Sequence, residues 1–304
     1  MTAYTLRRLA SAVPTLFLVV TLSFFAIRAA PGGPFDLERP LEPAAMQALT
    51  RIYGLDRPLL EQYGVYLAAL LRGDLGPSLS VRDFQVAELF RLGLPVSAAL
   101  GSLALIVALV AGAGLGSLAA TRPGSALDHA LSTFGTLGLT VPGFVVAPLL
   151  QIVFGLWLLW LPVGGYDGPR SLVLPVVTLA LPQVAVVARL TRAALVETLR
   201  ADHVRTLRAL GLPGPVILGH ALRAAALPVV SYLGPAAAGL LTGSVVVETV
   251  FGLPGIGRYF VEGAINRDYP LVMGTVVLVA VFVLAFNLVA DLLAAWLDPR
   301  IRDA

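Results

Sequence analysis

An all-α polytopic membrane protein with six transmembrane helices is the fold class this sequence predicts. Of 304 residues, 58% are hydrophobic and 13% charged, with a mean hydropathy of +0.87. A typical soluble domain has about 45–50% apolar and about 25% charged residues. The apolar residues gather into six long stretches, and the charges collect between them. Crossing a hydrocarbon core of about 30 Å takes about 20 apolar residues in a helix.

The predicted spans cover residues 9–30, 96–120, 130–161, 172–190, 227–247 and 271–293. Apolar residues run round every face of each, which suits helices bathed by lipid and by one another, because backbone polar groups in lipid must be satisfied within the segment. The third span is too long for one straight crossing. Pro142 and Pro148 are expected to break or kink it, since each lacks a backbone donor.

The chain reads as an N-terminus with the first span (1–30), an extracytoplasmic insertion (31–95) and a transmembrane core (96–304) with a polar loop at about 189–226. Within the insertion, Pro31-Gly32-Gly33-Pro34 ends the first span and a short helix starts at Pro43. A second helix covers Leu59–Leu71, with Tyr63 and Tyr66 on its surface, and turn residues return at Arg72-Gly73-Asp74-Leu75-Gly76-Pro77. Two uses are open to this insertion: a landing surface for an external partner, or a cap on the bundle. Gly112 with Gly116, and Gly239 with Gly243, have the spacing that lets helix backbones approach closely, inside the subunit or at a seam between subunits.

All 21 basic residues are arginine. Arg7, Arg8, Arg122, the arginines of 189–223, Arg300 and Arg302 fall on one side of the predicted membrane, and only Arg170, Arg258 and Arg267 fall in short loops on the other. That bias predicts that both termini are cytoplasmic. It also accounts for the net charge of +3 without invoking nucleic acid as a partner. With no cysteine, disulfides and thiolate metal sites are excluded.

The most distinctive segment lies between the fourth and fifth spans and carries Arg189, Arg192, Arg200, Asp202, His203, Arg205 and Arg208. The fourth span is expected to continue as helix through 191–199. Asp202 then offers an N-cap for a short helix with Leu207 and Leu210 on one face, and Gly211 reverses the chain before Pro213. A third element, 216–227, carries His220 and Arg223 on one side and returns to the membrane at Pro228. Such a knob transmits force if it sits in a cleft of a partner protein. The alternative is an amphipathic helix lying on anionic headgroups.

The run Asp202-His203-Val204-Arg205-Thr206-Leu207-Arg208-Ala209-Leu210-Gly211-Leu212-Pro213, followed by Leu227-Pro228, resembles the cytoplasmic loop of permeases in binding-protein-dependent ABC importers. The family's usual Glu-Ala-Ala opening is here Asp202-His203-Val204. Further resemblance points to the oligopeptide/dipeptide branch. It is carried by Arg7-Arg8, Pro31-Gly32, Gly54-Leu55-Asp56, Gln62-Tyr63, Gly73-Asp74-Leu75-Gly76, Val141-Pro142 and Leu161-Pro162-Val163-Gly164-Gly165. It continues through Glu248, Phe251, Pro254-Gly255, Arg267-Asp268-Tyr269-Pro270, and Asn287 through Asp298-Pro299-Arg300. Nickel, glutathione and some oligosaccharide importers share much of this pattern.

The resemblance implies a type I ABC importer permease fold in the bacterial inner membrane, working with a homologous second permease, two ATPase domains or subunits, and an external substrate-binding protein. Residues 202–213 would contact the ATPase. ATP and Mg would sit on the ATPase partners, and this chain would bind no cofactor. Glu248, Phe251, Pro254, Gly255 and Asn287 are candidates for the translocation path or outer gate, and 248–257 reads as a re-entrant or gate-capping loop, apolar yet glycine-rich.

Rival functions meet specific obstacles. A chain without lysine has no phosphate-cradling loop whose lysine reaches a nucleotide, so it is not expected to be an ATPase. His129, His203 and His220 are too scattered for a His-Glu-x-x-His hydrolase, and Ser117 and Ser244 lack a mid-span base. An ion-coupled transporter or channel would use buried charges, for which Glu248, Asn287 and Asp291 are the candidates. Each has a structural alternative: Asp291 paired with an arginine at the inner surface, Asn287 in helix contacts, Glu248 anchoring the outer loop.

Overall fold

The computed structural model describes residues 2–35, 43–81 and 83–297; the Asp298-Pro299-Arg300 motif and Arg302 lie outside the described residues. Helices dominate: α1 (Thr2–Ala29), α2 (Pro43–Ile52), α3 (Leu59–Leu71), α4 (Val86–Thr121), α5 (Ala126–Thr140), α6 (Gly143–Leu150), α7 (Val173–Arg200), α8 (Asp202–Ala209), α9 (Gly214–Phe251), α10 (Ile256–Ile265) and α11 (Tyr269–Leu297). By length and composition, five segments among the described residues can cross a membrane: Thr5–Ala29, Val86–Thr121, Pro169–Arg200, Gly214–Phe251 and Tyr269–Leu297. A sixth is possible if the pair Ala126–Thr140 and Gly143–Trp157, bent by 103°, counts as one broken span.

That bend settles which proline interrupts the third apolar stretch. Val141 leaves the helix in an extended conformation and Pro142 caps the next one, as expected from the steric restriction a proline places on its predecessor. Pro148, by contrast, lies inside α6 and does not end it. The helix instead widens into a π-helical turn, Gln151–Trp157.

Two compact units emerge. The first comprises Met1–Ala10, Val96–Leu253 and Phe282–Ala304. Its main core gathers Leu100, Ala104, Leu174, Leu179, Leu240, Val247, Phe251 and Leu253. Glycine sets the closeness of α4 to α7: a Cβ on Gly112 would stand 2.7 Å from Val187 Cβ, and one on Gly116 would stand 2.8 Å from Thr191 Cβ. The small-residue spacing at Gly112 and Gly116 therefore serves packing inside the subunit. α9 runs unbroken through Pro228 and Pro235, so the expected separate element at 216–227 is the beginning of one 38-residue helix. At 1.5 Å per residue it is about 57 Å long, well beyond a hydrocarbon core of about 30 Å.

The second unit comprises Ser11–Pro95 and Pro254–Val281. Val20 and Phe24 of α1 pack with Met273 and with Tyr63 and Tyr66 of α3. The two tyrosines are thus not a free surface; their ring centroids lie 5.1 and 5.5 Å from that of Phe24. A neighbouring cluster joins Val86, Leu89 and Phe90 to Ile256, Tyr259 and Leu271. Asp268, fully buried, organises the loop before α4. Its Oδ2 accepts from Ser78 Oγ at 2.6 Å, from the Leu79 and Ser80 backbone N–H groups at 2.8 and 2.9 Å, and from Ser80 Oγ at 2.8 Å. These donors satisfy the buried carboxylate oxygen in the absence of water.

Candidate functional site

The polar loop between α7 and α9 is a folded knob. Helix α7 continues to Arg200 without a break, and Ala201, extended at φ −67° and ψ 152°, caps α8. Asp202 is therefore the first helical residue rather than the N-cap. There its carboxylate still complements the positive end of the helix dipole, as Arg208 complements the other end. Asp202 Oδ1 accepts from Arg205 Nη1 at 3.2 Å, and Thr206 Oγ1 donates to the Asp202 carbonyl at 3.1 Å.

Gly211 terminates α8 as predicted, at φ +75°, in the left-handed region. The Gly211 N–H donates to the Arg208 carbonyl at 3.0 Å and the Leu212 N–H to that of Leu207 at 3.3 Å, which together form a Schellman motif. Pro213 then caps α9.

Beneath the knob lies its own apolar core. Leu195 of α7, Val204 of α8 and Ile217, Ala221 and Ala225 of α9 are buried together with Ala120, and Leu207 and Leu212 pack against them. Leu207 and Leu210 do not share an environment: Leu207 faces this core, whereas Leu210 is 72% exposed. His203, Arg205, Thr206, Arg208, Ala209, Gly211 and Pro213 are exposed as well. The outer face of α8 thus presents one large apolar residue beside exposed arginines, on a support packed against α7 and α9.

An ion pair absent from the sequence reading lies next to the knob. Asp128, buried at the start of α5, accepts from Arg192 of α7 through both carboxylate oxygens, with Arg192 Nη2 2.6 Å from Oδ2. Oδ2 also accepts from the Gly124 N–H at 2.8 Å, while Ser125 Oγ accepts from the Asp128 N–H at 3.2 Å. The legible signal was Ser125-Ala126-Leu127-Asp128 ahead of an apolar run, a capping-box pattern with aspartate in the last place.

Among the residues proposed for the path or gate, Glu248 and Phe251 share the last turn of α9. Glu248 forms part of the last turn of α9, fully buried, and accepts from Ser97 Oγ at 2.6 Å. Phe251 is 1% exposed in the core, and its carbonyl accepts from the Gly165 N–H at 2.8 Å. Segment 248–257 is accordingly a helix end, a short turn at Gly252 to Gly255 and the start of α10, not a re-entrant loop. Pro254 and Gly255 belong to the other compact unit, where Gly255 lies against Gly93. Asn287, which donates to the Val283 carbonyl at 2.9 Å, packs against Gly234, roughly 21 Å along α9 from Glu248. Asp291 pairs with Arg8 at 3.2 Å, the structural use expected for it.

Residues 112–303 match the family described as binding-protein-dependent transport system inner membrane component. The chain is 45% identical to the oligopeptide transport system permease protein OppB of Haemophilus influenzae and to that of Escherichia coli K12, in each case over 99% of this chain and the whole of the relative. It is 39% identical to the dipeptide transport system permease protein DppB of Bacillus subtilis, over 99% of this chain and 98% of that protein.

Proposed function

Because the chain belongs to the family of binding-protein-dependent transport system inner membrane components, we propose that it is one of two permease subunits of an ATP-driven importer that carries peptides. Its second permease is homologous, two ATPase domains grip the inner knobs of the pair, and an external binding protein delivers the substrate. Both termini face the cytoplasm. ATP and Mg stay on the ATPase subunits, and this chain catalyses no reaction of its own.

The observation that carries this reading is the outer face of α8, where exposed Leu210 sits among His203, Arg205 and Arg208 over a buried core shared with α7 and α9. A load on that face passes through the core and the Arg192–Asp128 pair into α7 and α5. The Gly112 and Gly116 seam takes it on into α4. ATP binding draws the ATPases together and tips the spans outward; hydrolysis and release restore the inward state. The cycle is a population shift between two arrangements, driven by ligands that favour one of them. The peptide cargo is supported by the names of the full-length relatives, OppB and DppB.

Replacing Gly211 with valine tests the docking role. Retention of the ATPase on purification and peptide uptake are expected to fall together; normal values for both would contradict it. With the importer reconstituted, uptake is expected to require ATP. Uptake driven by an ion gradient alone would assign the chain to the ion-coupled carriers instead.

A further inference from the structure

Among the described residues, two buried donors of the second unit have no acceptor. Arg28, at the end of α1, has its guanidinium carbon 3.5 Å from the centre of the Phe24 ring and 5.4 Å from that of Tyr269, so the cation is held between two aromatic faces. Its Nε donates to Gln62 Oε1 at 3.1 Å, while Nη1 is buried with no hydrogen-bond partner. The hydroxyl of Tyr66 is buried and unpartnered as well. Buried polar groups are nearly always satisfied, and two orphan donors in one place ask what completes them.

Both residues line the same cavity, of about 330 Å³, within the range of about 300–1,000 Å³ usual for small-molecule sites. The other charges on its wall are already engaged. Asp74 accepts from the Gly76 N–H at 2.9 Å, and Arg57 pairs with Glu61 at 3.2 Å. Tyr53, Val65, Leu79 and Met273 make the remaining wall mainly apolar.

We propose that this cavity is a binding site for a carboxylate carried beside an apolar side chain, as at the C-terminus of a short peptide, with Arg28 and Tyr66 as the two donors to it. The choice of peptide rests on the function proposed above; the demand for an anionic acceptor does not. Burial pushes the Tyr66 phenol up to about 12, so it keeps its proton and remains a donor throughout the physiological range. A guanidinium fixed between rings with Nη1 unpartnered is a preorganised donor to a carboxylate.

The test uses the full-length chain in phosphatidylcholine nanodiscs, with leucyl-leucine and its C-terminal amide as probes. The free acid is expected to bind about tenfold or more tightly than the amide, the factor that one charge-assisted hydrogen bond supplies. Tyr66→Phe is expected to lower the affinity for the acid about tenfold while leaving the thermal midpoint of the empty chain unchanged or higher, since the hydroxyl it removes has no partner. Arg28→Gln is expected to abolish the preference for the acid, and Arg28→Lys to restore part of it.

Equal binding of acid and amide, no binding of either, or an acid preference that survives Tyr66→Phe would overturn the proposal. So would loss of acid binding when phosphatidylglycerol replaces phosphatidylcholine, which would assign the cavity to a lipid headgroup. ATP-driven peptide uptake measured in parallel separates the two readings. Uptake without acid-selective binding sinks this site alone, and absence of peptide uptake sinks the function.

Discussion

The C-terminal ends of α8 and α9 use one backbone device in opposite surroundings. At α8, Gly211 turns left-handed, and the N–H groups of Gly211 and Leu212 reach back to the carbonyls of Arg208 and Leu207. At α9, Gly252 turns left-handed at φ +64°, and the N–H groups of Gly252 and Leu253 reach back to those of Thr249 and Glu248. Around Gly252 the side chains of Glu248, Phe251 and Leu253 are 0–2% exposed. Around Gly211, Leu210 is 72% exposed, with arginines beside it. The motif ends a helix in both places; burial separates a plug in the core from an exposed helix end.

The largest difference between the two ends is expected in stability. Phe251→Ala should cost about 3–5 kcal/mol, since it opens a cavity in a packed core, and should lower the thermal unfolding midpoint of the purified chain sharply. If it behaves like a surface substitution, the plug is misassigned. Arg192→Ala should come next, with a smaller loss than Phe251→Ala, because it removes the cation from the Asp128 carboxylate. The pair of changes Asp128→Asn with Arg192→Gln should recover part of that loss in a double-mutant cycle, and strict additivity would show that the two side chains are not coupled.

Glycine substitutions sharpen the comparison. Gly211→Val and Gly252→Val each force a β-branched residue into a left-handed conformation, a strain of at least about 1–2 kcal/mol. Their effects on the midpoint should be similar, yet only Gly211→Val should reduce ATPase retention. Loss of retention by both would make it a consequence of general instability. The smallest stability effect is expected from Leu210→Ser, within about 0.5 kcal/mol. It should nonetheless release the ATPase, and unchanged retention would mean that the exposed leucine is not an anchor.

Much of the helical plan was legible in the residues. Continuous apolar stretches marked the spans, two prolines marked a break that falls at Pro142 alone, and a glycine just past a short amphipathic run marked the end of α8. What could not be read was which neighbours supply missing contacts. Pro228 and Pro235 look like breakers in isolation, but they leave α9 intact, since prolines in apolar spans are tolerated where the surroundings satisfy the freed backbone groups. Glu248 looked like a polar residue near a mouth; its pairing with Ser97, 151 residues away, is a tertiary fact. The same is true of Asp268 and Ser78, 190 residues apart. The split of Leu207 from Leu210 depended on where α7 and α9 stand relative to α8. Helical spacing alone did not contain that information.

The chain has no cysteine, so a single one introduced as Leu210→Cys is a unique chemical handle on the outer face of α8. With the ATPase subunits bound during turnover, a short thiol- and amine-reactive cross-linker should join residue 210 to an ATPase. Leu71→Cys, at a residue still more exposed than Leu210 that we propose lies on the outer side of the membrane, should yield no such product. An adduct from 71, or none from 210 while uptake proceeds, would contradict the claim that this knob is where the ATPase takes hold.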